Sequence, residues 1–306
     1  MNFDSSESFD DLNHYMSYGT DPLYQSENTE IVASYPGYNI ISLIGKGFFG
    51  EVWKAERLSD GEIIALKVVN TDPLNPKMLQ ALKREAKILN KISRPQCQPF
   101  LVCFNDYKYL PDQNKFIIDM TLIEGKTLVK YAIILDEETR YKHLLLIMKD
   151  IIKALEYLHN NGIIHNDVKP ENIIIDKHLT PILVDFGVAC VDLSVCKLDK
   201  NVTSKCCKGI MGPNMYISPE TIKRKVYYIE SDIWSLGITF YIAATGKYPF
   251  NKGNNLEELF NNIKNDEPDK LNTSNEVLNY IVNRALDKNP VTRITIPEIS
   301  KILSEL

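Results

Sequence analysis

The range 163–185 contains the residues of this chain whose types and spacing could do chemistry. Asp167 is followed by Lys169 and Asn172, and Asp185 comes after a run of β-branched residues. A carboxylate can orient and deprotonate a hydroxyl group, an amide oxygen and a second carboxylate can bind Mg²⁺, and a lysine can neutralise a transferring phosphoryl group. The pattern therefore predicts phosphoryl transfer from ATP, with Asp167 and Lys169 as the catalytic residues. Asn172 and Asp185 are the predicted metal ligands.

A glycine pattern upstream could bind phosphate groups. Gly45, Gly47 and Gly50 lie between two strand-like stretches. Alone, this pattern is weak evidence, because an ordinary hairpin turn has the same composition and a dinucleotide-binding fold would require a helix directly after the glycines. Strand-like residues follow instead, which fits a hairpin whose backbone N–H groups approach anionic oxygens. Lys67 comes next, late in a hydrophobic strand, where a lysine would be unusual as a mere surface residue.

The elements that must position these residues change character along the chain. The first part is predicted to be a small antiparallel lobe of five strands and one helix. Its strands are predicted at 40–44, 52–57, 63–69, 102–107 and 116–120, and its helix at 79–89. After residue 125 the pattern becomes helical and predicts a larger lobe. Its helices are predicted at 144–158, 231–244, 256–263, 277–286 and 297–303, with short strands at 173–175 and 182–184.

Length and composition suit one large or two modest domains, because 306 residues with 44% hydrophobic residues can bury a sizeable core. No apolar run approaches the roughly 18 residues that a membrane-spanning helix needs, and the first residues lack the features of a secretory signal. We therefore expect a soluble, cytoplasmic protein that does not bind membranes. The abundance of Ile, Asn and Lys is typical of an AT-rich genome, as in some protists or large DNA viruses. For a viral protein the location would be the host cytoplasm.

The net charge of −5 is unevenly distributed. Residues 1–45 contain seven Asp or Glu and no Lys or Arg, which leaves 35 basic against 33 acidic residues in the rest of the chain. Because the main body is close to neutral, we expect no binding to nucleic acid. Residues 1–35 are predicted to be an acidic, disordered tail, since they contain few periodic apolar positions. The tail could be a solvated extension, a docking segment or an autophosphorylated segment.

The six cysteines include no pair with the Cys-x-x-Cys spacing of a metal site. Reduced thiols in a cytosolic protein are therefore the favoured interpretation. Four of the cysteines fall within 190–207, in one predicted loop, so a zinc or redox role for them stays open.

Three motifs downstream complete the pattern. They are Ser218-Pro219-Glu220, the stretch Ser231-Asp232-Ile233-Trp234-Ser235-Leu236-Gly237, and Arg293 after Asn289-Pro290. Together with the glycine pattern, Lys67 and the range 163–185, they resemble the eukaryotic-type protein kinases in content and in order. Lys169 lies within Lys-Pro-Glu-Asn, which resembles the serine/threonine class.

The resemblance implies an α+β, two-lobed protein kinase fold, with a small antiparallel β lobe that carries one main helix and a larger, mainly α-helical lobe. The kinase domain would span residues 36–306, with the small lobe at about 36–122 and the large lobe at about 123–306. ATP and Mg²⁺ would be the cofactors. The partners would be protein substrates with serine or threonine acceptors, and the protein is expected to be a monomer.

The resemblance also outlines a nucleotide site. Lys67 would bind the α- and β-phosphates and would itself be held by Glu85. Gly45, Gly47 and Gly50 would form the glycine lid over the phosphates, and Met120 would be the gatekeeper. The backbone of Thr121 and Ile123 would bond to adenine. The apolar walls of the adenine site would be Ile44, Val52, Ala65 and Ile174. His165 would pack beside Phe186 and would have no acid–base role.

Asn166 departs from the family pattern, because many kinases carry at this position an arginine that binds the phosphate of an activation-loop residue. Without that guanidinium group, a phosphate on Thr203 or Ser204 would lose its bidentate partner. We predict that the activity does not strictly require phosphorylation of the activation loop.

Two further departures concern the protein substrate. Gly212-Pro213 stands where serine/threonine kinases usually have Gly-Thr, and proline cannot replace the contact that this threonine makes with the catalytic residues. Ile242 occupies a position where strongly basophilic kinases often carry a glutamate. We therefore expect no strong requirement for arginine in the substrate, although Glu171 could still attract a basic residue.

Two alternatives stay open. The first is a pseudokinase that acts as a scaffold. Loss of Lys67, Asp167, Asn172 or Asp185 would favour it, and all four residues are present. The second is an enzyme of the same fold that phosphorylates small molecules. Such relatives usually lack the Ser-Pro-Glu and Asp-x-Trp elements that this chain contains.

Overall fold

The computed structural model describes residues 35–47, 50–191, 193–208 and 214–306. Within them the chain divides into two compact units. The first runs to Gln98 and includes Val102–Glu124, and the second comprises Pro99–Leu101 and Gly125–Leu306. The first unit is an antiparallel sheet with one main helix and the second is mainly helical, so the predicted fold class is confirmed. The predicted tail lies outside the described residues, apart from Tyr35.

Five strands form the sheet of the first unit. They are β1 (Tyr38–Gly47), β2 (Gly50–Arg57), β3 (Ile63–Asn70), β4 (Phe104–Leu110) and β5 (Lys115–Thr121). The order is β1-β2-β3-β5-β4, and every neighbouring pair is antiparallel. One face of this sheet buries an apolar cluster that includes Tyr35, Tyr38, Leu66 and Ile117. The last residue of the predicted tail is thus part of the packed structure.

Helix α1 (Pro76–Ser93) begins at a strong capping signal. The Asn75 side chain accepts a hydrogen bond from the N–H of Met78 at 3.2 Å, and a proline fills the first turn, where no N–H donor is needed. Leu82 and Leu89 are buried, as their helical spacing predicts. The buried face of α1 also carries Glu85, which is why this helix matters for the site.

The second unit contains helices and two small sheets among the described residues. The helices are α2 (Leu128–Ala132), α3 (Glu137–Asn160), α4 (Pro219–Arg224), α5 (Ile229–Thr245), α6 (Leu256–Asn265), α7 (Glu276–Ala285) and α8 (Ile296–Ser304). The strands are β6 (Gly125–Thr127), β7 (Ile173–Asp176), β8 (Pro181–Leu183), β9 (Ser194–Lys197), β10 (Thr203–Cys207) and β11 (Tyr227–Tyr228). The sheets have the orders β6-β7-β8 and β11-β10-β9.

The two long helices α3 and α5 form the centre of the second unit. Helix α3 starts after Asp136, whose side chain accepts a hydrogen bond from the N–H of Thr139 at 3.0 Å. Helix α5 is almost entirely buried, and a Cβ atom at Gly237 would lie 2.9 Å from the Leu286 side chain. Glycine at this position therefore lets α5 pack closely against the end of α7. None of the helices in the described ranges has the length and apolar character needed to cross a membrane.

The sequence predicted reduced thiols, but the six cysteines lie close together in three pairs. The pairs are Cys97–Cys103 in the first unit, and Cys190–Cys207 and Cys196–Cys206 in the second. Their Cα atoms are 5.4, 6.3 and 5.8 Å apart, respectively, within the range that a disulfide spans. Among the described residues, no group of three or more His, Cys, Asp or Glu is placed to hold a metal ion.

A buried ion pair joins the start of α4 to the last part of the chain. Arg293 Nη1 and Nη2 lie 2.7 and 2.9 Å from the two carboxylate oxygens of Glu220, and Nη1 also donates to the carbonyl of Glu230 at 2.7 Å. Burial by itself would raise the pKa of Glu220, but the charge and hydrogen bonds of Arg293 lower it below its ordinary value. Glu220 is therefore ionised, and the stability of its buried charge depends on Arg293.

Replacing Arg293 with alanine should lower the free energy of unfolding by about 3–5 kcal/mol, because the Glu220 carboxylate would stay buried without its partner. Urea unfolding followed by tryptophan fluorescence measures the loss. Lys142→Ala is the control, since it removes only an exposed pair with Glu138, 2.7 Å long, and should leave the unfolding midpoint unchanged. Equal losses in the two variants would contradict this prediction.

Candidate active site

One buried carboxylate holds the segment 165–172. Asp232 lies in the first turn of α5 and is fully buried. Its Oδ2 accepts hydrogen bonds from the backbone N–H of His165 at 3.0 Å and from His159 Nε2 at 2.8 Å. Its Oδ1 accepts one from the N–H of Asn166 at 2.9 Å. The carboxylate thus satisfies backbone donors that would otherwise be buried without partners.

Burial and charge set the protonation states around Asp232. Burial by itself would raise its pKa, but the hydrogen bond and charge of His159, together with His165, lower the pKa below its ordinary value. Burial lowers the pKa of His165, so its imidazole is uncharged at neutral pH. The His165 ring packs edge-on against Phe186, with 4.8 Å between the ring centroids. His165 therefore supports Phe186, as the resemblance implies.

Asp167, Lys169 and Asn172 form a hydrogen-bonded cluster. Lys169 Nζ lies 2.9 Å from Asp167 Oδ2. Asn172 Nδ2 donates to the same oxygen at 2.8 Å and to the backbone carbonyl of Asp167 at 2.9 Å. Asp167 Oδ1 is buried and has no hydrogen-bond partner among the described residues. One oxygen of the carboxylate is thus fixed, while the other can accept a hydrogen bond from a hydroxyl group.

The charges in this cluster support proton transfer. Burial raises the pKa of Asp167; the positive charge of Lys169 opposes this rise, and the negative charge of Asp185 adds to it. Burial by itself would lower the pKa of Lys169, but the Asp167 carboxylate raises it, so the lysine stays protonated. A carboxylate with a raised pKa is a stronger base than an ordinary one, which suits the role predicted for Asp167.

Asp185 lies beside this cluster in a left-handed backbone conformation, with φ of +63°. Its Oδ1 accepts a hydrogen bond from the N–H of Gly187 at 3.2 Å. The preceding residue, Val184, donates its N–H to the carbonyl of Asn172 at 2.9 Å, so the backbone holds the two predicted metal ligands close together. Because Nδ2 of Asn172 is bonded to Asp167, its Oδ1 is the amide atom left for a cation.

In the first unit, Lys67 and Glu85 form a buried ion pair. Lys67 Nζ lies 2.6 Å from Glu85 Oε1, and the two residues are 6% and 3% exposed. Lys67 lies in β3, where it is the pairing partner of Val52 in β2, and Glu85 comes from α1. The structure thus brings together the pair that the resemblance predicts. Each charge makes the burial of the other tolerable.

Strands β1 and β2 form the hairpin that contains the glycine pattern. Gly47 is paired with Gly50 and Gly45 with Val52, while residues 48–49 at the tip lie outside the described part of the chain. Gly50 has a φ of +132°, and a Cβ atom there would lie 2.5 Å from the carbonyl oxygen of Val68. Only glycine fits this position, because both the backbone conformation and the space exclude a side chain.

Most of the predicted adenine-site residues lie on adjoining strands of the first unit. Ala65 in β3 is the pairing partner of Met120 in β5, and Thr121 is the last residue of β5. The other predicted residues of this unit are half-buried: Ile44, Val52 and Ile123. Ile174, in contrast, lies in β7 of the second unit. The sheet therefore brings together the first-unit residues but not Ile174.

Asn166 connects the segment 165–172, named the catalytic segment for its predicted role, to the residues that follow Gly187. Its φ is +64°, a left-handed conformation that asparagine tolerates better than most residues. Its Nδ2 donates hydrogen bonds to the carbonyl of Val188 and to Sγ of Cys190, both at 3.2 Å. A neutral amide thus stands where many kinases carry a cationic guanidinium group.

The sequence did not reveal two polar contacts of this region. The role of Asp232 had one visible signal, an acidic residue within an apolar helical stretch. The contact of Ser204 with Glu230 had no signal in the sequence. Ser204 is buried, and its Oγ donates to both carboxylate oxygens of Glu230, at 2.9 and 2.8 Å.

The prediction that concerns Gly212-Pro213 falls on residues outside the described part of the chain.

Comparisons with known proteins show the family to which this chain belongs. The family model of the protein kinase domain matches residues 38–303. The carbon catabolite-derepressing protein kinase of Candida albicans is 31% identical over 269 residues, which cover 86% of this chain and 40% of that protein. The CBL-interacting serine/threonine-protein kinase 8 of Arabidopsis thaliana is 31% identical over 278 residues, covering 89% of this chain and 58% of that protein.

A third relative, the serine/threonine-protein kinase TIO of Arabidopsis thaliana, is 29% identical over 266 residues, which cover 86% of this chain and 18% of that protein. The chain spans less than two thirds of the length of each of these relatives. Since the family model covers most of its residues, the chain belongs to the protein kinase family.

Asp232→Asn should lower the free energy of unfolding by about 3 kcal/mol, because an amide NH₂ group would face N–H donors that now bind a carboxylate. The pKa of Asp232 is lower in the folded protein than its ordinary value of 3.8. The ionised carboxylate therefore stabilises the fold above pH 3.8, and this stabilisation is lost as the pH falls through the pKa of the folded state. The difference between wild type and variant should therefore shrink below pH 3.8.

Urea unfolding at neutral pH and at pH values below 3.8 measures this difference. Asp150→Asn is the matched control, because it makes the same chemical change in a surface pair with Lys153, 2.8 Å long, and should change the midpoint little at either pH. If the free energies of unfolding of wild type and Asp232→Asn differ by the same amount across this pH range, Asp232 is not the ionised acceptor.

Proposed function

We propose that this protein is a serine/threonine protein kinase that transfers the γ-phosphate of ATP to hydroxyl groups of protein substrates. The observation that carries the proposal is the geometry of the Asp167 carboxylate. One of its oxygens is held by Lys169 and Asn172 at 2.9 and 2.8 Å, and the other is buried with no partner among the described residues. This arrangement suits the alignment of one substrate hydroxyl group.

In this proposal, the chain's own residues position and stabilise the reacting groups. Asp167 Oδ1 accepts a hydrogen bond from the serine or threonine hydroxyl, aligns it and takes its proton. Lys169, protonated beside Asp167, stabilises negative charge on the phosphoryl group as it moves. Because the transition state for phosphoryl transfer is loose, positioning and charge stabilisation are the main demands on the protein.

Asn172 and Asp185 fit a Mg²⁺ site. Mg²⁺ prefers oxygen ligands and is usually bound through one or two protein groups together with phosphate oxygens and water. The amide Oδ1 of Asn172 and the carboxylate of Asp185 are such ligands, and the backbone bond from Val184 to Asn172 keeps the two residues adjacent. When bound, the ion would neutralise charge on the phosphates of ATP.

The first-unit residues support the assignment of ATP. Lys67, held by Glu85 at 2.6 Å, would bind the α- and β-phosphates, and Gly45, Gly47 and Gly50 would bring backbone N–H groups to them. The adenine ring would contact the apolar side chains of Ile44, Val52, Ala65 and Ile174, with Met120 as gatekeeper. The backbone of Thr121 and Ile123 would provide its hydrogen bonds.

Serine and threonine are the favoured acceptors, because Lys169 lies within Lys-Pro-Glu-Asn and two of the relatives described above are named serine/threonine kinases. A scaffolding pseudokinase would be expected to lack one of Lys67, Asp167, Asn172 or Asp185, and this chain has all four. An enzyme acting on small molecules would be expected to lack the Ser-Pro-Glu and Asp-x-Trp elements, and this chain contains both. The cytoplasmic location and the monomeric state stay predictions.

The purified protein should transfer labelled phosphate from ATP and Mg²⁺ to casein or histone, and phosphoamino-acid analysis should find serine and threonine. Asp167→Asn should reduce this rate by about 10²- to 10⁴-fold, because the amide cannot take a proton. Asp150→Asn, the same change on the surface of α3, should leave the rate unchanged.

Absence of protein labelling by the wild-type protein, with ATP binding retained, would favour the scaffold. Label transfer to small hydroxyl compounds alone would favour the second alternative. Labelled phosphotyrosine would overturn the acceptor assignment.

The contact between Ser204 and Glu230 bears on regulation. Burial raises the pKa of Glu230, although the hydrogen bond from Ser204 opposes that rise. A phosphate on Ser204 would place about −1.5 to −2 charges at pH 7 against this carboxylate. Ser204 is therefore a poor site for an activating phosphate, and Thr203 is exposed and has no arginine at position 166 to bind its phosphate.

The double variant Thr203→Ala/Ser204→Ala should keep its turnover within about tenfold of the wild type, because no activating phosphate is lost. Steady-state label transfer measures the turnover. Ser204→Glu should lower the thermal midpoint, since a second carboxylate would face Glu230, whereas Thr203→Glu at the exposed neighbour should not. A loss of turnover well beyond tenfold in the double variant would contradict the prediction.

A further inference from the structure

Cys190 lies against the segment that carries the catalytic residues. Its N–H and C=O groups pair with those of Ile164 at 2.8 and 3.0 Å, one residue before His165. Cys190 is 4% exposed, and its Sγ accepts the hydrogen bond from Asn166 Nδ2 at 3.2 Å. The position of this sulfur is therefore coupled directly to the backbone that precedes Asp167.

Cys207 lies at the other end of the same stretch, at the last position of β10. Its strand is paired with β11 through Cys207 and Tyr227, and β11 leads directly into α5. The Cα atoms of Cys207 and Cys190 are 6.3 Å apart, and the structure places the two sulfurs as a bonded pair. A bond between these two residues, which are 17 apart in sequence, ties β10 to the catalytic segment.

A second pair lies within this stretch. Cys196 in β9 and Cys206 in β10 are near neighbours on adjacent antiparallel strands, because Cys196 is paired with Ser204. In both pairs one cysteine is buried, Cys190 or Cys206, and its partner is half-buried. Cys207 and Cys196 are thus the more exposed cysteines of the two pairs.

We propose that Cys190 and Cys207 form a reversible disulfide that holds the 193–208 segment against the catalytic segment and thereby raises kinase activity. The link takes the place of the contact between a phosphate and an arginine, which Asn166 cannot make. The effect on activity rests on the function proposed above, whereas the disulfide itself does not. Cys196–Cys206 would stiffen the β9–β10 pair without reaching the catalytic segment.

The oxidant in this proposal is a low-molecular-weight disulfide such as oxidised glutathione. The thiolate of the half-buried Cys207 attacks one glutathione sulfur, which forms a mixed disulfide and releases one glutathione thiolate. The Cys190 thiolate then attacks the Cys207 sulfur and releases the second glutathione. The two protein thiols lose two protons and two electrons, and one glutathione disulfide becomes two glutathione thiols. Excess reduced glutathione reverses both steps.

The test uses two full-length double variants that isolate the pairs. Cys196→Ser/Cys206→Ser keeps only the proposed link in this stretch, and Cys190→Ser/Cys207→Ser removes it. Each protein is equilibrated over a series of ratios of reduced to oxidised glutathione. Free thiols are then alkylated, and mass spectrometry maps the linked peptides. In the first variant, Cys190 and Cys207 should lose alkylation together and appear as one linked peptide pair. Persistent alkylation of both at every ratio would overturn the proposal.

Label transfer from ATP is measured on the same samples. In Cys196→Ser/Cys206→Ser the linked form should turn over about tenfold faster than the reduced form. The rate of Cys190→Ser/Cys207→Ser should not depend on the glutathione ratio. Wild-type protein reduced with dithiothreitol gives the same comparison without a substitution. Equal rates in the linked and reduced forms would overturn the proposed effect on activity. Cys97→Ser is the control for the pair in the first unit and should keep the redox dependence.

Tryptic cleavage after the exposed Lys200 separates this inference from the proposed function. The linked form should be cut about tenfold more slowly than the reduced form, because the link limits opening of the segment. If no form transfers phosphate, the proposed function fails, and the cleavage rates still decide whether the disulfide holds the segment. Equal cleavage rates would overturn that part of the proposal.

Discussion

The catalytic segment of this protein depends on the buried carboxylate of Asp232. That side chain accepts hydrogen bonds from two consecutive backbone N–H groups, of His165 and Asn166, and from the His159 ring. Consecutive donors can converge on one acceptor only if the chain turns sharply, and Asn166 does so with a φ of +64°. Asp167 follows directly, so the position of the proposed base is set by a residue that touches no reacting group.

Local spacing explains how much of the site the sequence could predict. Asp167, Lys169 and Asn172 lie within six consecutive residues, so any compact turn brings them together, and the structure does so through a short 3₁₀ turn at Pro170–Asn172. The two-lobed fold was predictable for a similar reason, because alternating strand patterns and a wide apolar helix stripe are local signals. The buried pairing of Lys67 and Glu85, 18 residues apart, came from family resemblance rather than from spacing.

The contacts that the sequence could not predict join residues from separate elements. Ser204 and Glu230 are 26 residues apart, and Cys190 and Cys207 are 17 apart. Both contacts depend on the β9–β10–β11 sheet, whose short strands have no long apolar run or alternation. Tertiary packing, not local preference, creates this sheet, since Leu198 and the strand residues Cys206 and Tyr228 form one buried apolar cluster. Hydrogen bonds and sulfur pairs between separate elements thus organise this region.

The ion pair between Glu220 and Arg293 has a consequence for the order in which the chain acquires its structure. A ribosome adds Arg293 73 residues after Glu220, when the domain is nearly complete. Until then the carboxylate has no counter-charge, and moving it out of water is unfavourable. The burial of the charged Glu220 in the second unit therefore depends on a residue that follows α7 in the chain.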